Sequence, residues 1–155
     1  MADRSSCVVQ MGAVAIGGRA LAMCGPPGCG KSTLALALID RGAQLIGDDG
    51  ITLIAAERSA LSGGGEAGEL LAAPPPNIAG MMEIAGIGIA SMSTAGPTPL
   101  ALVLDLGRDA ERMPDAAERS EWLGSSIPVL PFSPGDIAPA IRAEYALRLH
   151  GLTLA

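Results

Sequence analysis

The chain has 155 residues, a net charge of −6 and a hydrophobic fraction of 49%, but aromatic residues make up only 2%. This length predicts one domain, residues 1–155, with a core of aliphatic and methionine side chains. An acidic chain without a basic stripe argues against nucleic-acid binding, and no apolar run is long enough to cross a membrane. The three cysteines lack the spacing of a zinc site or disulfide framework, and no signal-peptide pattern opens the chain. We therefore expect a cytoplasmic protein.

Two extended segments open the chain, at residues 7–11 and 13–16. Gly17 and Gly18 follow, and such a pair favours the type I′ turn of a two-residue β-hairpin. Residues 19–24 are therefore predicted to form a strand that returns antiparallel to its predecessor.

The next segment fits the pattern G-x-x-x-x-G-K-S/T, and a helical run, 32–41, follows it. This context predicts a phosphate-binding P-loop, because glycines let backbone N–H groups surround phosphates and the helix N-terminus adds positive partial charge. Lys31, the only lysine in the chain, is expected to reach the β- and γ-phosphates, while Ser32 ligates Mg²⁺. The residues predicted to bind a nucleoside triphosphate are Gly25, Pro26, Pro27, Gly28, Cys29, Gly30, Lys31, Ser32 and Thr33.

Two adjacent carboxylates, Asp48 and Asp49, follow a short predicted strand at 43–47. The end of such a strand lies beside the P-loop in an open α/β sheet, at the edge where ligands bind. One carboxylate can ligate Mg²⁺, and the other can accept a proton or orient the nucleophile. The sequence Asp-Asp-Gly also consists of residues that are favoured in turns. With a further strand at 51–55, it predicts a hairpin that has the aspartates at its bend.

The rest of the chain gives weaker structural signals. Residues 57–71 have little pattern apart from a glycine-rich turn at 62–65, and residues 74–77 predict a rigid proline loop. A strand-like run interrupted by glycines suggests close backbone packing. Pro128 cannot donate to a ladder, which predicts an edge strand around it. The predicted elements are the glycine-interrupted strand 81–89, a buried strand 100–106, a helix 116–123, the edge strand 127–130 and a last helix 137–150.

Taken in order, these motifs resemble the catalytic domain of HPr kinase/phosphorylase. The similarity is to the short alphaproteobacterial form, which lacks the N-terminal domain of the longer enzymes. The P-loop alone is unspecific, but its combination with an early Asp-Asp pair and a Glu-Ile-x-Gly-Ile-Gly-Ile run is quite specific. The matching segments are the hairpin at 17–20, the P-loop and its helix to 42, the paired-aspartate segment 44–49, the segment from 73 to 89, and 102–106, 112–114 and 123–124.

The resemblance implies a P-loop-containing α/β fold shared with phosphoenolpyruvate carboxykinase, with an antiparallel hairpin before the P-loop. It implies ATP- and Mg²⁺-dependent phosphorylation of a serine of HPr, or of its nitrogen-system paralogue, together with the reverse phosphorolysis. The family's first aspartate, the base of the kinase and the acid of the phosphorylase, would be Asp48. The metal-site residues would be Ser32, Asp49 and Glu83, with Asp49 also positioning the nucleophile. Members are typically hexameric, which implies a homo-oligomer.

The chain departs from the family pattern at three places. The family's histidine before the hairpin turn is replaced by Gln10, and the signature arginine by Ala85. The stretch 133–136 has no arginine, where the longer enzymes carry a basic mobile loop. These losses keep open a non-catalytic ATP-binding regulatory protein derived from such a kinase. A small-molecule kinase of the shikimate or gluconate type is a third alternative, although no basic residue lies between Arg58 and Arg108 to bind an anionic substrate.

Overall fold

The computed structural model describes residues 5–56, 70–77 and 79–153. The predicted turn at 62–65 and most of the segment around it lie outside these residues. In chain order the described elements are β1 (Ser6–Val9), β2 (Gly12–Ile16), β3 (Arg19–Cys24), α1 (Lys31–Asp40), β4 (Gln44–Gly47), β5 (Ile51–Ala55), β6 (Leu70–Ala73), β7 (Met81–Ile84), β8 (Gly88–Ser91), β9 (Thr98–Asp105), β10 (Glu118–Trp122), β11 (Ser125–Pro131) and α2 (Pro139–His150).

The described strands form one curled sheet and one separate hairpin. The nine-stranded sheet has the order β1-β5-β6-β9-β3-β2-β4, with β11 beside β9 and β10 beside β11, while β7 pairs with β8 alone. The strands β3 and β11 are both parallel to β9, so the carboxyl ends of these three strands meet at one edge. The predicted mixed α/β fold, with an antiparallel β2–β3 hairpin before the P-loop, is confirmed.

The core is aliphatic, as its composition predicts. Strand β9 is buried from Leu100 to Leu104, the pattern of a strand covered on both faces. Helix α1 packs through Leu34, Ala35 and Leu38, which lie on one face at helical spacing. Phe132 is the only aromatic side chain in the described buried cluster. Among the described residues no helix has the length and apolarity needed to span a membrane.

The bend at residues 48–50 is a corner of the sheet, so the predicted hairpin is wrong. Strand β4 pairs with β2, whereas β5 pairs with β1 and β6. Ala13 pairs with Gly47 before the bend and Val9 pairs with Ile51 after it, so segments 6–16 and 44–55 form one long antiparallel ribbon that bends in both strands together. Asp-Asp-Gly does make a turn, but pairing with the first two strands decides where the chain goes.

Two glycines allow the strands of this corner to approach each other. A Cβ on Gly12 would lie 2.8 Å from the carbonyl oxygen of Asp48, and a Cβ on Gly47 would overlap the carbonyl oxygen of Gly50. Both obstacles are backbone atoms, which cannot rotate away as a flexible side chain does. The position of Asp48 therefore depends on small residues on both strands.

We predict that Gly47→Ala lowers the free energy of unfolding by about 1–3 kcal/mol, because the added methyl group forces the corner open. Gly96→Ala is the matched control, because a Cβ at that position meets no atom within 4 Å. Urea denaturation of both variants measures the difference. Equal stability of the two variants would contradict this account of the corner.

Residues 116–123 were predicted as a helix, and this prediction is wrong. Strand β10 covers Glu118–Trp122 and pairs antiparallel with β11. Leu123 and Gly124 connect the two strands with φ values of 50° and 82°, the positive values that a two-residue hairpin loop requires. Strand β11 is also not an edge strand, because it pairs with β10 on one side and β9 on the other. Its pairing with β9 begins at Val129, after the proline that lacks an N–H.

The predicted strand 81–89 is a hairpin made of β7 and β8. Gly86 and Gly88 have φ values of 75° and 142°, and a Cβ on either would meet nothing within 4 Å. These glycines thus serve the turn, and close backbone packing at them was a wrong interpretation. Strand β6 was not predicted, whereas the buried strand β9 and the last helix, α2, are confirmed.

Candidate functional site

The P-loop leaves β3 at the edge where the three parallel strands end. Gly25, Gly28 and Gly30 have φ values of 145°, 82° and 100°, a region that glycine adopts without strain. Gly30 is the N-cap of α1, with no side-chain cap and no acidic residue in the first turn. The first N–H groups of this helix therefore have no side-chain acceptor, and such donors favour anions.

Lys31 folds back over the loop that precedes it. Its Nζ donates to the carbonyl oxygens of Gly25 at 2.7 Å and Pro26 at 3.3 Å, and it lies 4.0 Å from the Sγ of Cys29. The ammonium group is thereby held at the P-loop. It is the only basic side chain that lines the cavity described below.

Asp48 connects three elements through its carboxylate. The hydroxyl of Ser32, in the first turn of α1, donates to Asp48 Oδ1 at 2.6 Å. The backbone N–H of Glu83, in β7, donates to Asp48 Oδ2 at 3.0 Å. Asp48 itself directly follows β4, so the sheet corner, the P-loop helix and the β7–β8 hairpin are joined at one acidic group.

A cavity of about 390 Å³ collects most of the predicted site residues. The carboxyl-bearing residues Asp48, Asp49 and Glu83 line it together with residues of the P-loop and α1. Asp49 and Glu83 are exposed, while Asp48 is partly buried. Gly25, Pro26 and Cys29 do not line this cavity. The lining residues are Pro27, Gly28, Gly30, Lys31, Ser32, Thr33, Leu36, Asp48, Asp49, Glu83, Ile84 and Ala85.

The donor set of this cavity suits a magnesium ion that is shared with phosphates. In the part of the chain that the structure describes, no three His, Cys, Asp or Glu side chains converge as a metal site. Magnesium in phosphoryl-transfer sites takes one or two protein oxygens and completes its shell with phosphate and water. The Ser32 hydroxyl beside the Asp48 carboxylate fits that pattern. Of the two aspartates, Asp48 is the one hydrogen-bonded to Ser32, and the metal-site role of Asp49 stays a prediction.

One further acidic residue near the P-loop, Asp105, was not singled out from the sequence as a site residue. Asp105 ends β9 and pairs with Cys24 at the end of β3. Its Oδ1 accepts from the N–H of Gly107 at 2.9 Å, and its Oδ2 accepts from Nε of Arg108 at 2.8 Å. Arg108 also pairs with Glu118 at 2.9 Å, and hydrogen bonds to these two carboxylates raise the pKa of its guanidinium. The available sequence signal was an acidic residue at the end of a buried strand. In the structure, however, the hydrogen bonds of Asp105 to Gly107 and Arg108 hold the chain after β9.

Cys24 lies directly before the P-loop. Its burial, and to a smaller extent the negative charge of the nearby Asp105, raise the pKa of its thiol. A raised pKa keeps the thiol protonated, and a protonated thiol is a poor nucleophile. Cys24 therefore serves as a small packing residue, as its place in β3 predicts.

The three departures from the family pattern occupy different places. Gln10 is exposed at the corner between β1 and β2 and does not line the cavity, whereas Ala85 lines it from the β7–β8 turn. The stretch 133–136 lies on another side of the P-loop, where it faces Thr33 and Ala37. It has no arginine of its own, but Arg142 of α2 donates to the carbonyl oxygen of Ser133.

A family model for the HPr Serine kinase C-terminal domain matches residues 5–96, which is more than half of the chain. This chain belongs to the HPr serine kinase C-terminal domain family. The matched region includes the corner, the P-loop, both candidate aspartates and the β7–β8 hairpin. A sequence search of curated proteins found no match.

The solved structure of the Hpr(Ser) kinase/phosphatase from Coxiella burnetii is similar to this chain. The two share 25% sequence identity with a TM-score of 0.69, and the match covers 92% of this chain and 89% of that chain. The structural match thus extends past residue 96 into the second half of the domain. The relation supports kinase-family function in general and agrees with the resemblance stated from the motifs.

Proposed function

We propose that this chain is an ATP- and Mg²⁺-dependent kinase that phosphorylates a serine of HPr or of an HPr-like phosphocarrier, and that also catalyses the reverse phosphorolysis. The observation that carries the proposal is the Asp48 carboxylate, which lies in the P-loop cavity in contact with Ser32. We further propose a cytoplasmic homo-oligomer, which the family relation suggests. The test is phosphate transfer from ATP to HPr.

The proposed nucleotide site uses the P-loop and three cavity residues. Lys31 exchanges its two carbonyl partners for β- and γ-phosphate oxygens, which costs little because both carbonyls can be solvated. Ser32, Asp49 and Glu83 are the proposed metal-site residues, with Asp48 adjacent to Ser32. Bound Mg²⁺ supplies positive charge that stabilises the transferring phosphoryl group.

The proposed proton acceptor is Asp48. As the acceptor serine oxygen bonds to the γ-phosphorus and the bond to ADP breaks, the serine proton passes to Asp48. A carboxylate has about four lone-pair sites, so the two hydrogen bonds that Asp48 accepts leave room for that proton. The N–H of Glu83 and the hydroxyl of Ser32 fix the orientation of the carboxylate. In phosphorolysis the same group returns the proton to the serine oxygen.

The surroundings of the acids favour a protein acceptor over a small anionic one. Met81, Ile87 and Ile89 of the β7–β8 hairpin are exposed, with Ile87 at 81%. Met81 and Ile89 line a groove that also includes Asp48 and Asp49, so apolar surface borders the proposed base. A small anionic substrate needs several cations, and among the cavity-lining residues only Lys31 is basic. These features argue against the shikimate- or gluconate-kinase alternative.

One alternative keeps specific support from the geometry. Ala85 lines the cavity where the family signature carries an arginine, and an arginine is worth a great deal in phosphoryl transfer. An ATP-binding regulatory protein that binds its partner without transferring phosphate would tolerate this loss. ATP turnover with and without HPr separates the two functions, because only the kinase consumes ATP in an HPr-dependent way.

We predict that Gln10→His raises activity, above all the phosphorolysis of phosphoserine-HPr. The family resemblance places a histidine near the phosphates at this position, and an imidazole there can take up charge and protons near pH 7, whereas an amide cannot. The measurement is a pair of rates, forward with ATP and reverse with inorganic phosphate. Gln44→His is the matched control, because Gln44 is exposed at the start of β4, away from the corner. Equal rates for the parent and Gln10→His would show that Gln10 is no handicap.

A further inference from the structure

The outer face of α2 exposes a row of large apolar side chains. The helix packs on the core through Ala143 and Leu147. On the side turned to solvent, Ile141, Tyr145 and Leu149 follow one another at intervals of four residues, and Leu149 is 73% exposed. Side chains at this spacing are neighbours on a helix surface. A continuous exposed apolar patch of this kind marks a protein–protein contact more often than isolated apolar residues do.

The segment before α2 extends this row. Ile137 comes four residues before Ile141 and is 81% exposed. Nε of Arg142 donates to the carbonyl oxygen of Ile137 at 2.9 Å, and its Nη1 donates to that of Ser133 at 3.1 Å. Because a guanidinium is a rigid planar fork of donors, these bonds hold segment 133–137 against the start of the helix. The row of apolar residues therefore has a fixed N-terminal end.

The order of residues along this row is symmetric about its centre. Counted outward from the middle of the helix, Ile141 and Tyr145 are equally distant from it, and so are Ile137 and Leu149. Two copies of the helix that lie side by side in opposite directions therefore bring Ile141 of each copy to Tyr145 of the other. The same arrangement brings Ile137 of each copy to Leu149 of the other.

We propose that the outer face of α2 binds a second copy of this chain, as an antiparallel helix pair about a twofold axis. A twofold contact uses the same patch on both copies, so the patch must be self-complementary, and the symmetric row meets this condition. The inference goes beyond the homo-oligomer suggested by the family relation, because it assigns the surface and its symmetry from the residues of α2. It does not depend on kinase activity.

Two side chains of this face have the properties of contact residues. Tyrosine and arginine are enriched among the residues that contribute most to protein–protein binding. The guanidinium of Arg148 lies 4.8 Å from the ring centroid of Tyr145, so each side chain already restricts the other. Side chains that are ordered before association lose less conformational freedom when the contact forms.

The charges around the row also favour a second copy as the occupant. Segment 136–150 has two acids, Asp136 and Glu144, and two arginines, Arg142 and Arg148, on a chain whose net charge is −6 with histidine neutral. This face therefore lacks the excess negative charge that keeps two copies apart. The antiparallel arrangement directs Arg148 in the last turn of one helix toward Asp136 before the other. The oppositely directed helix dipoles add a small attraction.

The test measures particle mass by analytical ultracentrifugation over about a hundredfold range of concentration, since mass action makes association depend on concentration. We expect Tyr145→Glu to halve the particle mass, from dimer to monomer or from hexamer to trimer, because the contact would bury an unpaired charge. Met113→Glu is the matched control, because it adds the same charge at an apolar residue that is 81% exposed outside α2. It should leave the mass unchanged, and circular dichroism reports the fold of both variants.

A mixing experiment tests the antiparallel register and keeps the proposal falsifiable if Tyr145→Glu folds poorly. Ile141→Glu and Tyr145→Lys should each lower the particle mass when measured alone. An equal mixture of the two should restore the parent mass, because the new glutamate of one copy then faces the new lysine of the other. The second contact of that mixed pair keeps the parent residues. Failure of two folded variants to associate on mixing would overturn the antiparallel arrangement.

Two further results would overturn the proposal. A parent that stays monomeric over the whole concentration range has no such contact, and loss of carrier binding in Tyr145→Glu would then assign the face to HPr instead. An associated parent whose mass is unchanged by Tyr145→Glu associates through another surface. No nucleotide or carrier is present in the mass measurement, so failure of the proposed kinase function would leave its result unchanged.

Discussion

Asp48→Asn is expected to slow serine phosphorylation by about 10²–10⁴-fold, the usual contribution of a general base. An amide cannot take up a proton at neutral pH. The substitution should preserve the local geometry, because the amide oxygen can accept from the N–H of Glu83 while its NH₂ group donates to the hydroxyl of Ser32. Mg-ATP affinity should therefore change little, and the loss should appear in kcat.

The measurement is the steady-state rate of phosphate transfer to HPr, with Mg-ATP affinity determined in parallel. Asp49→Asn is the informative comparison, because it changes the neighbouring carboxylate in the same cavity by the same chemistry. Asp49 is a proposed metal-site residue, so its loss should weaken dependence on Mg²⁺ as well as the rate. Unaltered turnover in Asp48→Asn would remove Asp48 from the mechanism and assign the base to Asp49.

Lys31→Ala is expected to abolish Mg-ATP binding while the fold persists. The P-loop lysine is the one basic side chain among the residues that line the cavity, so no neighbour there can replace its charge on the phosphates. Its structural role is small: two hydrogen bonds to the carbonyl oxygens of Gly25 and Pro26, each worth about 0.5–1.5 kcal/mol. Both carbonyls can bond to water once the side chain is gone.

Calorimetry measures the nucleotide affinity of Lys31→Ala, and thermal melts report its fold. Arg41→Ala is a suitable control, because it removes a cation from the C-terminal end of α1, the helix that begins at Lys31. There Arg41 pairs with Glu144 of α2. If Lys31→Ala bound ATP as tightly as the parent, the P-loop assignment would be wrong. If it failed to fold, Lys31 would have a larger structural role than its two hydrogen bonds indicate.

Local chemistry decided which parts of the fold were predictable. The Gly17–Gly18 turn, the P-loop with its helix and the buried strand β9 follow from short-range patterns, and the structure has all three. The corner at 48–50 did not follow, because its course is set by pairing with β1 and β2, about 40 residues earlier. Residues 118–122 form a strand for a different reason, since they pair with the neighbouring strand β11 through the two-residue loop Leu123–Gly124, and this hairpin outweighs their helical propensity.

In the candidate site, too, the residues that belong to short motifs could be predicted, whereas contacts between distant segments could not. The sequence motifs contained Lys31, Ser32, Asp48, Asp49 and Glu83, and the structure places all of them on one cavity. The sequence could not show that a backbone N–H of the β7–β8 hairpin holds Asp48. Backbone donors carry no residue signature, so only the fold reveals them. The hold of Arg142 on segment 133–137 was hidden too, because it depends on the approach of α2.

Phosphate transfer to HPr tests the central claim most directly. The parent chain, Asp48→Asn and Lys31→Ala are each incubated with Mg-ATP and either HPr or its nitrogen-system paralogue, and phosphoserine is measured by mass spectrometry. The account predicts phosphoserine on one of the carriers with the parent, a strong reduction with Asp48→Asn and none with Lys31→Ala. A parent that binds ATP and carrier normally but forms no phosphoserine would contradict it, and would favour the regulatory, non-catalytic alternative.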